Sequence, residues 1–198
     1  VLESIKDQIG DAYRLLEACY ENGGKLLIAG NGGSAADSDH IVGELMKGFV
    51  KRRPVSAKLA EALKQADPER GTELAKKLQG GLPAIALTNH AALSSAFAND
   101  VDGTLSYAQQ VNGYGKAGDV FLGISTSGNA ENVMYAAVTA KAKGLKVIGL
   151  TGKTGGKLAK IADVSIIVPE QETYKIQELH LPIYHALCLM LEDRFYAE

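Results

Sequence analysis

Five short apolar runs punctuate the chain: KLLIAG (25–30), PAIAL (83–87), DVFLGIS (119–125), KVIGLT (146–151) and VSIIVP (164–169). They are continuous rather than alternating, the pattern expected of strands covered on both faces. Between them apolar residues recur three and four positions apart, the period of a helix with one buried stripe. The first such stretch, residues 2–20, stops at Asn22, Gly23 and Gly24, a C-terminal signal. A second, residues 129–143, starts after a glycine turn and ends at Gly144. The last, residues 172–196, is long and apolar-rich, and Pro182 is expected to kink it or divide it into two pieces. Strands alternating with helices predict an α/β fold with a five-stranded parallel sheet flanked by helices in three layers, joined by right-handed crossovers. Such sheets hold ligands at the carboxyl ends of their strands, especially where strand order reverses. The polar glycine turns of this chain all follow strands, so they should share one edge.

Residues 51–81 break the rhythm. The segment KRRPVSAKLAEALKQADPERGTELAKKLQGG is charged and helix-favouring, and reads as two short helices. Asp67 is suited to cap the second of them, with Pro68 at its first helical position. A solvated helical excursion, a lid and an oligomer contact are the open readings of this segment. The expected organisation is therefore one domain over residues 1–198, with an N-terminal helix within 1–22 and a helical excursion at about 51–81.

Composition narrows the class. A chain of 198 residues with 46% hydrophobic residues and a net charge of -2 is long enough for one full core and ordinary for a globular protein. It has no basic excess that would point to nucleic acid. No apolar run approaches the roughly 20 residues that span a bilayer. The opening residues lack the basic region and uninterrupted apolar stretch of a signal peptide. Cys19 and Cys188 show no metal or disulfide spacing, so buried reduced thiols and a cytoplasmic location are expected.

Candidate chemistry gathers in three stretches. GNGGSAADSDHIVGEL (30–45) satisfies the G-x-G-x-x-A pattern of a dinucleotide turn. That use needs a second strand ending in an acid about 20 residues on, where this chain has GFVKRRP. LTGKTGGK (150–157) has Val147 where a triphosphate-binding loop requires its first glycine, and reads as a turn into a short helix at the site. No nucleotide cofactor is expected. GISTSGNAENV (123–133) offers the hydroxyls of Ser125, Thr126 and Ser127, and Gly128 lets the chain turn into a helix whose N-terminus favours an anion. Ser34 and the N–H groups around Gly32 and Gly33 can reach the same edge. Hydroxyls and amides without clustered cations suit one phosphomonoester, although the same residue types also serve as helix caps. His40 and Glu44, four apart, share a helix face. Gln177 and His185, eight apart, are offset by about 80° on an ideal helix. Nitrogen and oxygen donors from two helices suit zinc.

The stretches AGNGGSAADSDHIVGEL, FANDVDG, GISTSGNAENV, LTGKTGGKLAKIAD and IQELHLPIYH together resemble the SIS (sugar isomerase) fold. Within it they are most similar to the phosphoheptose isomerases, which interconvert sedoheptulose 7-phosphate and D-glycero-D-manno-heptose 7-phosphate in bacterial heptose biosynthesis. The resemblance implies that Ser34, Ser125, Thr126 and Ser127 bind the phosphate beside Gly32 and Gly33. Asn31 and Asp100 would hold sugar hydroxyls or order the site, and Glu44 and His185 would form the acid–base pair of an enediol mechanism. His40, Glu44, Gln177 and His185 would be the zinc ligands, with Gln177 also facing substrate. It further implies a homotetramer with sites completed at subunit boundaries. Ala130, where Ser is common, Ala35, Ala36 and Tyr174 depart from the family pattern. His180 would support the site or an interface, and His90 either faces the pocket or is a loop residue without a role. The competing functions are a non-catalytic SIS module that senses a phosphosugar or docks on a replication initiator, and an isomerase of another phosphosugar.

Overall fold

The computed structural model describes residues 2–196, so Val1 and the last two positions of the expected domain lie outside the described residues. A 3-10 turn (Leu2–Ile5) leads into α1 (Lys6–Glu21), β1 (Leu26–Ala29), α2 (Gly33–Met46), α3 (Ala57–Ala66), α4 (Pro68–Lys77), β2 (Ala84–Ala86) and α5 (Ala91–Asp100). A second 3-10 turn precedes α6 (Ser106–Tyr114), β3 (Val120–Ser125), α7 (Glu131–Ala142), β4 (Lys146–Thr151), α8 (Leu158–Ile161), β5 (Val164–Ile167) and α9 (Thr173–Phe195). Each strand falls inside one of the five apolar runs.

All four strand pairings are parallel, in the order β2-β1-β3-β4-β5. From β1 the chain passes outward to β2, then returns to lay β3 on the other side of β1. The reversal therefore lies between the carboxyl ends of β1 and β3, where Ala29 pairs with Gly123. Alternate strand residues feed two separate cores, as the pleat requires. Leu26, Ile28, Leu122, Ile124, Ile148 and Leu150 pack with α1, α2 and α9. Leu27, Ala29, Phe121 and Val147 pack with α6, α7 and α8. Cys19 and Cys188 are both buried free thiols in the first core, and burial pushes their pKa values up to about 11 and about 12.

Of the kink or division expected at Pro182, division does not occur: the last helix runs through it as one element. Pro182 and Glu178 are both exposed, so the carbonyl that loses its N–H partner faces water. Burial of Ile176, Ile183, Tyr184, Leu187 and Leu191 along the other face holds the helix together, each large side chain contributing about 1.5–3 kcal/mol.

The excursion forms two helices, as its composition predicts. Asp67 accepts hydrogen bonds from the N–H groups of Glu69 and Arg70, and Pro68 opens α4. Buried Gly71 lies so close to the Leu63 carbonyl that a Cβ could not fit, which lets α3 and α4 pack closely. α3 buries no residue; the hairpin packs on itself. Its base is fastened by an antiparallel bridge between Pro54 and Gln79 and by a bond from the Gly80 N–H to the Arg53 carbonyl.

Arg53 also joins α2 to α9. Its guanidinium donates to Glu192 Oε1 at 2.7 Å and to the Leu45 and Glu44 carbonyls at 2.8 and 3.2 Å, satisfying the end of α2. Glu192 further accepts from the N–H groups of Phe49, Val50 and Lys51. Both side chains are fully buried. Burial raises the Glu192 pKa, but the N–H groups of Val50 and Phe49 and the Arg53 guanidinium outweigh it and hold the carboxyl below its ordinary value. Removing one partner strands a buried charge, so Glu192→Ala is expected to lower unfolding free energy by about 3–5 kcal/mol, measured by denaturant titration. Because the folded value lies below the unfolded one, this stabilisation is present above pH of about 4.3 and is lost as pH falls through the folded value. Glu192→Gln should accordingly lose less stability than the native chain between neutral pH and pH of about 3.

Candidate active site

Two glycine turns meet at the reversal point. After β1, Gly32 adopts φ 56°, which favours glycine, and α2 begins at Gly33. After β3, Gly128 adopts φ 67° and presses against the Gly155 carbonyl so closely that no Cβ could be accommodated. The 152–157 loop supports this second turn from below. Gly152 N–H donates to the Thr126 carbonyl, Leu158 N–H to the Gly128 carbonyl, and Lys157 N–H to Asn129 Oδ1. LTGKTGGK thus turns into a short helix, as its sequence predicts, and buttresses the site. Asn31 and Asn132 exchange two side-chain hydrogen bonds at 2.9 and 2.8 Å, tying the first turn to the start of α7.

Between the turns lies a cavity of about 260 Å³ whose lining includes Asn31, Gly32, Gly33, Ser34, Ser125, Thr126 and Ser127, together with Ala130, Thr173 and Gln177. Three helices begin at its wall: α2 at Gly33, α7 after Ala130 and α9 at Thr173. Each leaves its first N–H groups without helical partners and presents the positive end of its dipole. Among the described residues the hydroxyls of Ser34, Ser125 and Thr126 make no hydrogen bond, whereas Ser127 Oγ accepts from the Asn129 N–H. Unspent hydroxyls and amides, with no cation in the lining, have the chemistry to cradle a single phosphate monoester. The larger cavity, about 550 Å³, lies between residues 48–54 and the end of α4. Its Lys51, Arg53 and Lys77 are already paired with Asp193, Glu192 and Glu73.

A second constellation lies farther along α2 and α9. His40 Nε2 is 3.3 Å from Glu44 Oε1, one helical turn on, and Lys47 Nζ holds Glu44 Oε2 at 3.0 Å. His185 from α9 stacks edge-on against His40, with centroids 5.1 Å apart, and lies tilted against Phe49 at 5.3 Å. Its Nε2 is buried and has no hydrogen-bond partner among the described residues. Tyr184 reaches the other side of His40, its hydroxyl 3.0 Å from Nδ1 and 3.3 Å from Asp37 Oδ1. Burial raises the Asp37 pKa, opposed by the Tyr184 hydrogen bond and by His40.

The residues singled out from the sequence divide between these two places. Asn31, Gly32, Gly33, Ser34, Ser125, Thr126, Ser127 and Gln177 line the cavity. His40, Glu44 and His185 meet in the second cluster. Gln177 does not join them: its amide lies where a Cβ on Gly33 would project, 2.6 Å from Nε2. Gly33 precedes His40 by seven residues, about 10 Å of helix. Among the described residues no three His, Cys, Asp or Glu side chains form a ready-made metal cage. The donor chemistry nonetheless fits zinc. Two ligands 2.0–2.1 Å from a tetrahedral ion stand about 3.3 Å apart, the separation of His40 Nε2 and Glu44 Oε1, and His185 supplies an unpartnered imidazole nitrogen.

Asp100 ends α5, exposed and bonded to Asn99, outside the cavity lining. His90 caps α5 by accepting from the Leu93 N–H, so its role is local. His180 is buried in the core with Nε2 3.2 Å from the Thr151 carbonyl, and burial lowers its pKa to about 4. It anchors α9 to the end of β4. Tyr174 is exposed beside the cavity residue Thr173. Sequence reading missed Asn132, Thr173, Tyr184 and Asp37. Only the Asn at 132, in the first turn of a helix after a glycine turn, carried a local signal.

This fold and site define a class of phosphosugar-handling α/β domain. The family model described as SIS domain matches residues 1–80 and 68–152. A phosphoheptose isomerase of Aneurinibacillus thermoaerophilus is 40% identical over 177 residues, covering 89% of this chain and 76% of the relative. The structure of a phosphoheptose isomerase from Neisseria gonorrhoeae superposes with a TM-score of 0.74 at 34% identity, covering 94% of this chain and 86% of that one. One from Francisella tularensis superposes with a TM-score of 0.77 at 31% identity, covering 96% and 88%. The chain belongs to the phosphoheptose isomerase family of SIS-domain proteins.

Inorganic phosphate titrated into the protein should bind at the cradle. Replacing Ser125 or Thr126 by a residue without the hydroxyl, as in Thr126→Val, is expected to weaken binding about ten- to hundredfold, the effect of a hydrogen bond to a charged group. Calorimetric titration of wild type and variant measures it.

Proposed function

We propose that the chain converts sedoheptulose 7-phosphate to D-glycero-D-manno-heptose 7-phosphate by proton transfer through a cis-enediol. The observation that carries this reading is the separation of an anion cradle from a His/Glu/His cluster along one pair of helices. Ser34 and His40 are six residues apart on α2, about 9 Å of axial rise. A phosphate fixed in the cradle therefore places the reacting carbons of a long phosphosugar, rather than those next to the phosphate, beside Glu44 and His185. The names of the family's other members supply the class of sugar, a phosphoheptose.

In this mechanism the cradle binds the phosphate by Ser34, Ser125, Thr126 and Ser127, and Gln177 meets the sugar between the two ends. Glu44 takes the proton from C1 of the ketose and returns it to C2 of the enediol, giving the aldose. His185 carries the matching proton between O1 and O2. Glu44 is largely shielded from water, its side chain 13% exposed. His40, Glu44 and His185 would hold zinc, whereas Gln177, placed against Gly33, stays with the cradle. When bound, the ion would polarise the carbonyl and offset the enediolate charge.

The family resemblance also supports a homotetramer located in the cytoplasm. Leu181, Leu189 and Met190 leave an apolar outer face on α9 that a second copy would cover. No helix among the described residues is long and apolar enough to cross a membrane.

Glu44→Gln should keep affinity for the sugar phosphate within about threefold, while turnover falls at least about a hundredfold, as expected for loss of a general base. Discontinuous assay of aldose formation, paired with calorimetric binding, measures both. Turnover equal to wild type would remove Glu44 from the chemistry. Treatment with a zinc chelator is expected to lower turnover and re-addition of zinc to restore it.

A further inference from the structure

We infer that Asn132 is a positioning residue that fixes the side-chain amide of Asn31, and through it the donor and acceptor offered to the sugar. The inference rests on the reading that Asn31 meets sugar hydroxyls beside the phosphate cradle. Asn31 lines the cavity, whereas Asn132 is not part of the lining. The two residues are 101 positions apart, one in the turn after β1 and the other in the first turn of α7. Asn31 Nδ2 donates to Asn132 Oδ1 at 2.9 Å, and Asn132 Nδ2 donates to Asn31 Oδ1 at 2.8 Å. Such an exchange has two equally bonded arrangements, because turning both amides over swaps every donor for an acceptor at once. A third bond selects one of them. Asn132 Oδ1 also accepts from the Val133 N–H at 3.0 Å, a donor in the first turn of α7 that has no helical partner. Turning the Asn132 amide over would set its NH2 against this N–H, donor against donor. Asn132 Oδ1 therefore keeps its place, and Asn31 Nδ2 must face it.

The exchange spends one N–H and one carbonyl lone pair of the Asn31 amide and leaves one of each free. An ionised phosphate oxygen only accepts, and the cradle already offers it hydroxyls and helix N-termini. A sugar hydroxyl both donates and accepts, so an amide with a donor and an acceptor to spare suits the polyol chain next to the phosphate. Without Asn132 the Asn31 amide could turn over and set its oxygen where the N–H had been. Both bonds of the exchange are open to water, so their loss costs the fold little. The pair also crosses the crevice, since α2 packs in the core on one face of the sheet and α7 in the core on the other. A tie that only held the two turns together would serve phosphate and sugar alike. An amide held in one orientation serves the sugar alone.

The test is calorimetric titration with two probes, inorganic phosphate and a heptitol 7-phosphate, the reduced sugar that cannot isomerise. The ratio of their affinities isolates what the sugar contributes. Asn31→Ala and Asn132→Ala are each expected to lower that ratio about three- to tenfold, the effect of hydrogen bonds between neutral groups. The double variant should match Asn31→Ala within about twofold, because Asn132 acts only through Asn31. Asn132→Asp keeps an acceptor for Asn31 Nδ2 and for the Val133 N–H. Its added charge weakens both probes but should leave their ratio near the native value. A ratio lowered by Asn31→Ala and unchanged by Asn132→Ala overturns the inference and spares the reading of Asn31. A ratio unchanged by Asn31→Ala overturns both, and a native chain that binds neither probe overturns the cradle as well. Loss of the ratio in Asn132→Asp also overturns the inference, which keeps the test decisive should Asn132→Ala fail to fold. Neither probe is turned over, so the outcome is separate from that of the isomerase reading.

Discussion

The buried ion pair between Arg53 and Glu192 is the constraint on which the site depends. The α2 helix carries the first glycine turn at one end and Glu44 near the other, while α9 carries Gln177 and His185 at matching heights. A slip of one residue between these helices would move every facing pair by about 1.5 Å. Three contacts set the alignment: Gln177 against Gly33, Tyr184 between Asp37 and His40, and Arg53 between Glu192 and the end of α2. The first two are made by groups that also face the site. Only the Arg53–Glu192 pair is entirely structural, and it also gathers the backbone of residues 49–51, placing Phe49 on His185.

The parallel sheet adds a second constraint at right angles to the first. Strand order reverses between β1 and β3, so the loops leaving them part to opposite faces and open a gap at their carboxyl ends. Three helix N-termini close around that gap. On the proposed reading, anion affinity would follow from topology, with the hydroxyls of Ser34, Ser125 and Thr126 supplying direction. The reacting cluster is a consequence of helix alignment. On the proposed reading, phosphate binding and proton transfer would be served by separate physical devices that share α2 and α9.

Much of this was legible in the sequence because the signals are local. Continuous apolar runs mark the five strands, Asp67 and Pro68 mark the start of α4, and the four-residue spacing of His40 and Glu44 places them on one face. What escaped depends on contacts between distant segments. Arg53 and Glu192 are 139 residues apart, and each alone reads as an ordinary surface charge. Tyr184 reads as part of an apolar helix until its hydroxyl is seen beside Asp37. Thr173 has no mark of its own; the end of α9 reaches the cavity only through the fold. Division at Pro182, one of the two outcomes expected there, does not occur because burial on the opposite face outweighs the local rule for helix breaking. Gln177 and His185 share a helix, and the structure assigns one to the cradle and the other to the cluster.

The most direct test of the central claim is to incubate the protein and zinc with sedoheptulose 7-phosphate in deuterated water and follow the sugar by nuclear magnetic resonance. The expected result is growth of the aldose heptose 7-phosphate with deuterium at C2, the mark of a proton taken from one carbon and returned to its neighbour. Formation of no aldose would contradict the isomerase reading, and an aldose carrying the substrate's own hydrogen at C2 throughout would contradict proton exchange through an enediol.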